Sequence, residues 1–259
     1  PGDRLSPTQP FPTKPAPFDL QGLTIDDLID FTPELRAEAI KIVSEYRIGP
    51  LYTPPSLKNA SDGKKGTIFV PGNIGGANWQ SGAVDIETGI LYVTSWTNPA
   101  IAALVKSPES DMDFINDNWS LEGPQGLPLT KPPWGRITAI DLKTGNHLWM
   151  IPNGTTPEAV KNHPALRGVE LPETGNKHLG SMLVTKTLLF VGANRHTYGE
   201  PLIRVLDKQT GKLIAIINLP ALATGVPMTY MLNGKQYIVV AVGAQEHPGE
   251  LIALTLPLR

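Results

Sequence analysis

The chain has 259 residues, enough for one large domain or two small ones, and its 26 prolines and 25 glycines suit an all-β fold with many tight turns. The 22 basic and 24 acidic residues nearly cancel and form no charge run, so nothing predicts a nucleic-acid partner. No apolar stretch approaches the roughly 20 residues that span a bilayer, so no transmembrane segment is expected in this chain. The sequence contains no cysteine, which excludes disulfides, thiolate metal sites and covalent c-type haem attachment within it.

Residues 1–65 combine an extended, Pro-rich beginning with one helical pattern. Thr32-Pro33 is a good helix start, because a hydroxyl can cap the first turn and proline suits the first helical position. Apolar residues then recur with helical spacing until Gly49-Pro50 ends the pattern. The sequence therefore predicts a helix near residues 32–46, with its apolar stripe packed on the edge of a sheet.

From Gly66 onward the hydrophobic pattern has the two-residue period of strands, so residues 66–259 are predicted to form the sheets of the same single domain. Asn233-Gly234 is typical of a tight hairpin turn. Residues 99–131 and 153–179 are weakly patterned and are predicted to be long loops on one face. The predicted strands are Thr67–Val70, Gln80–Asp85, Leu91–Ser95, Arg136–Asp141, His147–Ile151, Ser181–Thr185, Leu188–Gly192, Ile203–Asp207, Leu213–Asn218, Met228–Met231, Gln236–Val242 and Leu251–Leu256.

Three segments share the pattern Asp-x-x-Thr-Gly between two strands, and they lie roughly 60 residues apart. In each, the Asp carboxylate can bond N–H groups across the turn, and Gly can take the positive φ that the turn needs. Repeated hairpins at this spacing, stretched by insertions, favour the blades of a β-propeller. A β-sandwich with similar hairpins is the alternative. The three patterns begin at Asp85, Asp141 and Asp207.

The second repeat reads Ala139-x-Asp141-x-x-x-Gly145-x-x-x-Trp149, which resembles the tryptophan-docking motif of the quinoprotein dehydrogenases. These are eight-bladed β-propellers that use pyrroloquinoline quinone (PQQ), and in them the Trp packs between adjacent blades. Ser6–Phe11 is similar to the glucose-dehydrogenase-like branch of the family. Further blocks resemble the family and stand in its order along nearly the whole chain: Pro71–Trp79, Asp85–Val93, Lys131–Gly135, Pro227–Tyr230 and Gly234–Tyr237.

The resemblance implies an all-β propeller segment of about four blades of four-stranded sheet, with the helix as an excursion. It also implies an oxidoreductase that passes electrons from a sugar or alcohol hydroxyl to PQQ. In the family the catalytic Asp, the calcium ligands and a Lys or Arg near the quinone belong to earlier blades. This chain is therefore expected to hold no catalytic or metal-binding residue and to supply one wall of the cofactor site.

A propeller that has lost its cofactor and serves as a scaffold, or as a subunit of a larger assembly, is the alternative function. The Gly75–Trp79 block favours the enzyme. Ala215 stands at the docking-Trp position of the third repeat, and Gly180-Ser181 stands where the family usually has two glycines. Both departures favour the scaffold.

Five residues are candidates for the cofactor wall. Asn78 offers amide donors and an acceptor to carbonyl and carboxylate groups, or it stabilises a turn. Trp79 can cover a planar cofactor, or it packs between blades. Asn98 falls where a loop starts at the cofactor face, with an Asn-Pro turn as the other interpretation. Gly180 and Ser181 bring the backbone and a hydroxyl to the cofactor, or they simply begin a strand.

The C-terminal strands Gln236–Val242 and Leu251–Leu256 are strongly apolar, and leaving them in water would expose a patch of the kind that marks an interface. The chain is therefore expected to be an incomplete domain that needs a partner, either the N-terminal half of the same propeller or a second chain that completes the ring. The resemblance further implies calcium beside PQQ, a periplasmic or extracytoplasmic location, and a separate quinone or cytochrome as electron acceptor.

Overall fold

The computed structural model describes residues 8, 10, 12–58, 60–79, 82–177, 179–193 and 200–256. Most of the block Ser6–Phe11 and the first two residues of the predicted strand Gln80–Asp85 lie outside these ranges. Within them the predicted all-β class is confirmed, since the helices are few. They are α1 (Pro33–Ser44), α2 (Glu158–Lys161) and three single 3₁₀ turns. The strands are β1 (Ser56–Leu57), β2 (Thr67–Phe69), β3 (Gly82–Asp85), β4 (Ile90–Trp96), β5 (Ala100–Val105), β6 (Ile115–Ser120), β7 (Gly135–Asp141), β8 (Asn146–Pro152), β9 (Gly180–Val184), β10 (Leu188–Ala193), β11 (Leu202–Asp207), β12 (Leu213–Asn218), β13 (Met228–Leu232), β14 (Lys235–Ala244) and β15 (His247–Leu254).

These strands form four sheets. The second sheet has the order β3-β4-β7-β8, the third β9-β10-β11-β12, and the fourth β13-β14-β15, all antiparallel. The first sheet is irregular, because β5 pairs with β2 and β6 in antiparallel fashion and with β1 in parallel. The second and third sheets therefore have the predicted four strands, whereas the fourth has three strands in the described residues.

The prediction of a long loop over residues 99–131 is wrong, because β5 and β6 lie within it. The run from Ala100 to Ala103 is buried on both faces of the first sheet, so it lacks the alternation by which a half-buried strand is found. The second predicted loop, 153–179, contains α2 and a 3₁₀ turn but no strand among its described residues. The chain thus leaves the second sheet after β4, adds β5 and β6 to the first sheet, and returns with β7.

Helix α1 begins where the sequence predicts. Thr32 Oγ1 accepts the Leu35 N–H at 3.2 Å, which caps the first turn. Leu35, Ala39 and Val43 are fully buried, in one apolar cluster with side chains of the first sheet. The helix therefore packs against this sheet through an apolar stripe, as predicted.

The second, third and fourth sheets pack face to face through two apolar cores. Strand β10 shows this best, because its side chains alternate between two neighbours. Leu189 and Val191 pack with Tyr92 of the second sheet. Phe190 packs with Val240 and other residues of the fourth sheet. The third sheet is thus packed on both faces, as a blade inside a propeller is.

The three Asp-x-x-Thr-Gly turns have the predicted conformation. Their glycines have φ values of 76°, 67° and 73°. The carboxylates of Asp85, Asp141 and Asp207 each accept hydrogen bonds from a backbone N–H and from the Thr hydroxyl of the same turn. The Asn233-Gly234 hairpin also forms, with both φ values positive.

Trp149 packs from the second sheet onto the third, as the docking motif predicts. Its Nε1 donates to the Lys208 carbonyl oxygen at 3.3 Å. The ring lies over Gly211, where a Cβ would be 3.1 Å from ring atom Cε3, and it contacts Tyr92 with ring centres 5.8 Å apart. In the third sheet Ala215 pairs with Val205 as Trp149 pairs with Ala139, so the two positions correspond although the third repeat lacks the Trp.

A buried ion pair joins the same two sheets. Lys208 Nζ lies 2.5 Å from Asp85 Oδ2, and the two side chains are 6 % and 7 % exposed. Hydrogen bonds from Lys208, from the Thr88 hydroxyl and from the Glu87 N–H lower the pKa of Asp85 to about 2. Asp85 is therefore ionised at neutral pH, and the pair holds adjacent turns together.

Candidate functional site

The end of β4 is the meeting point of the three segments that carry the predicted site residues. Gly72 N donates to Asn98 O at 2.9 Å, which ties residues 72–79, here called the 72–79 loop, to the segment after β4. Trp96 N donates to Gly76 O at 2.8 Å. Thr94 Oγ1 reaches Gly180 O at 3.3 Å and links β4 to the start of β9. The fold therefore brings together residues that are about a hundred positions apart in sequence.

The 72–79 loop presents its two candidates to solvent. Asn78 is exposed, and its Oδ1 accepts the Trp79 N–H at 2.8 Å, so the amide also stabilises the turn. Trp79 is 99 % exposed, and it belongs to none of the three apolar cores found in the described part of the chain. An exposed Trp on an ordered loop offers its flat face to a planar ligand. Trp96, the last residue of β4, anchors the loop to the sheet, since its Nε1 donates to Gly75 O at 2.8 Å.

The other three candidates are less exposed. Asn98 is half-buried, and its carbonyl is occupied by the loop. Gly180 is buried at the start of β9, where a Cβ would lie 2.7 Å from Cγ1 of Val191, so this glycine permits close packing within the sheet. Ser181 is 3 % exposed, and its Oγ has no hydrogen-bond partner among the residues that the structure describes. That hydroxyl lies beside Gly192, where the third and fourth sheets meet.

A buried charged cluster beneath the loop was not found from the sequence. Arg136 Nη1 donates to Asp19 Oδ1 at 2.6 Å, and Arg136 Nη2 donates to Thr97 Oγ1 at 2.6 Å. Burial raises the pKa of Asp19, and the opposite charge of Arg136 partly counters this. Asp19 stands in a Pro-rich segment 117 positions from its partner, so no local pattern could have indicated the pair.

A cavity of about 730 Å³ opens between residues 121–128 and 155–160. Glu122, Glu200 and Lys177 line it, and burial lowers the pKa of Lys177. Its size is in the range of small-molecule sites.

Among the residues that the structure describes, no three His, Cys, Asp or Glu side chains are grouped so that they could hold a metal ion.

Comparison with known proteins identifies the family. Residues 1–238 match the family model described as the PQQ glucose/ethanol/alcohol dehydrogenase β-propeller domain. The chain therefore belongs to the PQQ-dependent dehydrogenase β-propeller family, and the predicted propeller segment is confirmed.

Two curated relatives show how much of a whole protein the chain represents. It is 30 % identical to a quinoprotein glucose dehydrogenase of Gluconobacter oxydans, covering 99 % of this chain and 34 % of the relative. It is 32 % identical to the glycerol dehydrogenase large subunit of Gluconobacter thailandicus, covering 94 % and 35 %. The chain thus spans about a third of the length of these relatives.

A solved structure matches at lower similarity. The quinohemoprotein alcohol dehydrogenase of Comamonas testosteroni aligns with a TM-score of 0.49 and 18 % identity, over 80 % of this chain and 29 % of that one.

None of the helices in the described ranges is both long and apolar enough to cross a bilayer.

Proposed function

We propose that the chain is the C-terminal portion of a PQQ-dependent dehydrogenase that oxidises a sugar or alcohol hydroxyl, and that it supplies one wall of the cofactor site. The observation that carries this proposal is the 72–79 loop, which holds Asn78 and the exposed ring of Trp79 above the end of β4. The names of the two relatives, a glucose dehydrogenase and a glycerol dehydrogenase, agree with such a substrate class.

The residues of this wall carry the types of chemical group that can bind PQQ. A planar quinone with carbonyl and carboxylate groups is recognised by amide donors and by a flat aromatic face, which Asn78, Asn98 and Trp79 offer. Gly180 and Ser181 would complete the wall through the backbone and a hydroxyl whose Oγ has no partner in the described structure. Bound PQQ supplies the two-electron oxidant of the reaction.

All five wall residues are uncharged, so their part is to bind and orient the cofactor and to exclude water from one of its faces. We propose that calcium and a Lys or Arg of the earlier blades, outside this chain, balance the negative charge of the cofactor. We place the general base there as well.

The open fourth sheet supports a partner that completes the ring. Met228, Tyr230 and Leu232 lie on one face of β13 and are 53 %, 38 % and 52 % exposed. Apolar exposure of this kind is typical of a covered surface. We propose that the earlier blades of the same domain, or a second chain, pack there, and that the assembled enzyme is periplasmic and passes electrons to a separate quinone or cytochrome.

A cofactor-free scaffold is the second candidate. Two observations favour it: Ala215 stands in place of a docking Trp, and Asn78 Oδ1 already accepts a backbone N–H. Under this hypothesis the exposed loop would serve only as a surface turn.

Reconstitution of the full-length protein with PQQ and calcium, followed by dye reduction with a panel of sugars and alcohols, separates the two functions. We expect Asn78→Ala to weaken PQQ binding about tenfold, because it removes a hydrogen bond to a charged or carbonyl group. Asn116→Ala, the same change at an exposed position of β6, should leave PQQ binding unchanged. If the wild-type protein retains no PQQ after dialysis, the dehydrogenase proposal fails and the scaffold stands.

A further inference from the structure

The Asp19 carboxylate is held rigidly under the 72–79 loop. Its Oδ1 accepts from Arg136 Nη1 at 2.6 Å, from Thr97 Oγ1 at 3.0 Å and from Leu20 N at 2.8 Å. Arg136 is held in turn by the Pro133 carbonyl oxygen at 2.5 Å. The Asp19 and Arg136 side chains are 7 % and 9 % exposed, so this cluster is shielded from water and cannot move without breaking several charge-assisted bonds.

The second carboxylate oxygen lies directly against the loop. Asp19 Oδ2 is buried and has no hydrogen-bond partner in the described structure. A Cβ built at Gly76 would lie 1.9 Å from this oxygen, 2.8 Å from Cγ and 3.2 Å from Cβ of Asp19. Only a glycine allows the backbone to approach the carboxylate so closely. The contact therefore explains why the second residue of the Gly75-Gly76 pair is a glycine.

This contact bears on the ligand-facing residues of the same loop. Gly76 O accepts the Trp96 N–H, so Gly76 is clamped between Asp19 on one side and the end of β4 on the other. Asn78 follows two residues later. Any shift of Gly76 is transmitted to Asn78 over two peptide units, and ligand contacts are sensitive to displacements of about 1 Å.

We infer that Asp19, fixed by Arg136 and Thr97, is a positioning residue. Through its contact with Gly76 it sets the position of the 72–79 loop relative to the end of β4, and so it places Asn78 against the cofactor. The inference rests on the proposed function for the cofactor and on the contacts above for the loop. Asp19 itself touches neither cofactor nor substrate in this role. The raised pKa of Asp19 agrees with a carboxylate kept in a dry position although one of its oxygens is unpaired.

The test is a cycle of variants in the full-length protein. Gly76→Ala places a methyl group on Asp19 Oδ2 and should displace the loop. The same change is then made in an Asp19→Ala, Arg136→Met background, where the obstructing oxygen is gone and no buried charge is left unpaired. Gly82→Ala is the matched control, because its Cβ would meet nothing closer than 3.8 Å.

Two readouts are measured for each variant. The first is PQQ affinity, by equilibrium dialysis of the cofactor. The second is hydrogen exchange at the Trp96 amide in the protein without PQQ, which reports the bond to Gly76 O directly. We expect Gly76→Ala to weaken PQQ binding and to speed this exchange by about tenfold each, since overpacking displaces backbone. In the Asp19→Ala, Arg136→Met background the same change should alter both by about twofold or less.

Equal effects of Gly76→Ala in the two backgrounds would overturn the inference, and so would an effect no larger than that of Gly82→Ala. If the double background does not fold, Asp19→Ser with Arg136→Gln replaces it, because the shorter side chain also removes the oxygen that a Cβ at Gly76 would meet. An effect of Gly76→Ala in that background as large as in the wild-type protein would then refute the role. A wild-type protein that does not bind PQQ defeats the proposed function alone, because the exchange readout still decides whether Asp19 positions the loop.

Discussion

The buried pair of Asp85 and Lys208 gives the sharpest test of how the second and third sheets are joined. Replacing Lys208 by Met leaves the Asp85 carboxylate in a nearly dry position without its cation. Breaking a buried pair from one side typically costs about 3–5 kcal/mol, whereas removing both charges is close to neutral. We therefore expect Lys208→Met to destabilise the protein by about 3 kcal/mol, and Asp85→Asn with Lys208→Met to restore most of that loss.

The lowered pKa of Asp85 independently predicts how much its ionisation stabilises the fold and over which pH range that stabilisation is lost. Its pKa is lowered from the usual 3.8 to about 2, and each unit corresponds to 1.36 kcal/mol, so ionisation of Asp85 stabilises the fold by about 2 kcal/mol. Because the folded-state pKa is the lower one, this stabilisation is complete above about pH 4 and is lost as the pH falls towards 2. In Asp85→Asn that part of the acid sensitivity should be missing.

The assay is urea unfolding of the full-length protein and its variants, followed by Trp fluorescence at pH 7 and between pH 4 and 2. Asn at position 85 can still accept the Glu87 N–H, so the turn itself should persist. The reasoning is refuted if Lys208→Met costs no more than a surface substitution, about 0.5 kcal/mol. It is also refuted if wild type and Asp85→Asn lose stability in parallel below pH 4.

Two further predictions concern packing and capping. Trp149→Ala should cost about 3 kcal/mol, because it removes the ring packed over Gly211 and the hydrogen bond to Lys208 O, while Trp149→Phe should cost less than half as much. Equal melting temperatures for the two variants would contradict the docking interaction. Thr32→Ala should cost about 1 kcal/mol by uncapping α1, and Thr32→Ser should recover most of it in the same denaturation assay. A cost for Thr32→Ser as large as that for Thr32→Ala would argue against the cap.

Much of the fold was predictable because its signals are local. The Asp-x-x-Thr-Gly turns, the Asn233-Gly234 hairpin and the cap at Thr32 each depend on the conformational preference of a few adjacent residues. Eleven of the twelve predicted strands lie wholly in the described residues, and each overlaps a strand of the structure. The strand Gln80–Asp85 was also found over its described part. A strand with one buried face and one exposed face alternates apolar and polar residues, and this alternation is visible in a few consecutive residues.

The candidate site was predictable in part. Resemblance to the family singled out Asn78 and Trp79, and the structure holds both on an exposed loop beside Asn98. The environment of Ser181 was not predictable, because the same strand start either faces a ligand or lies between two sheets. Only the packing of the third sheet on the fourth places its hydroxyl.

The amino-acid sequence by itself determined the β-class, the repeated turns, the capped helix and the docking position of Trp149. The tertiary structure alone decided that β5 and β6 return to the first sheet, that Lys208 pairs with Asp85, and that Asp19 with Arg136 supports the 72–79 loop. The reason is physical: turns and strands follow from neighbouring residues, whereas these pairings join groups as many as 123 positions apart. Their energy arises only when burial removes the water that would otherwise screen each charge.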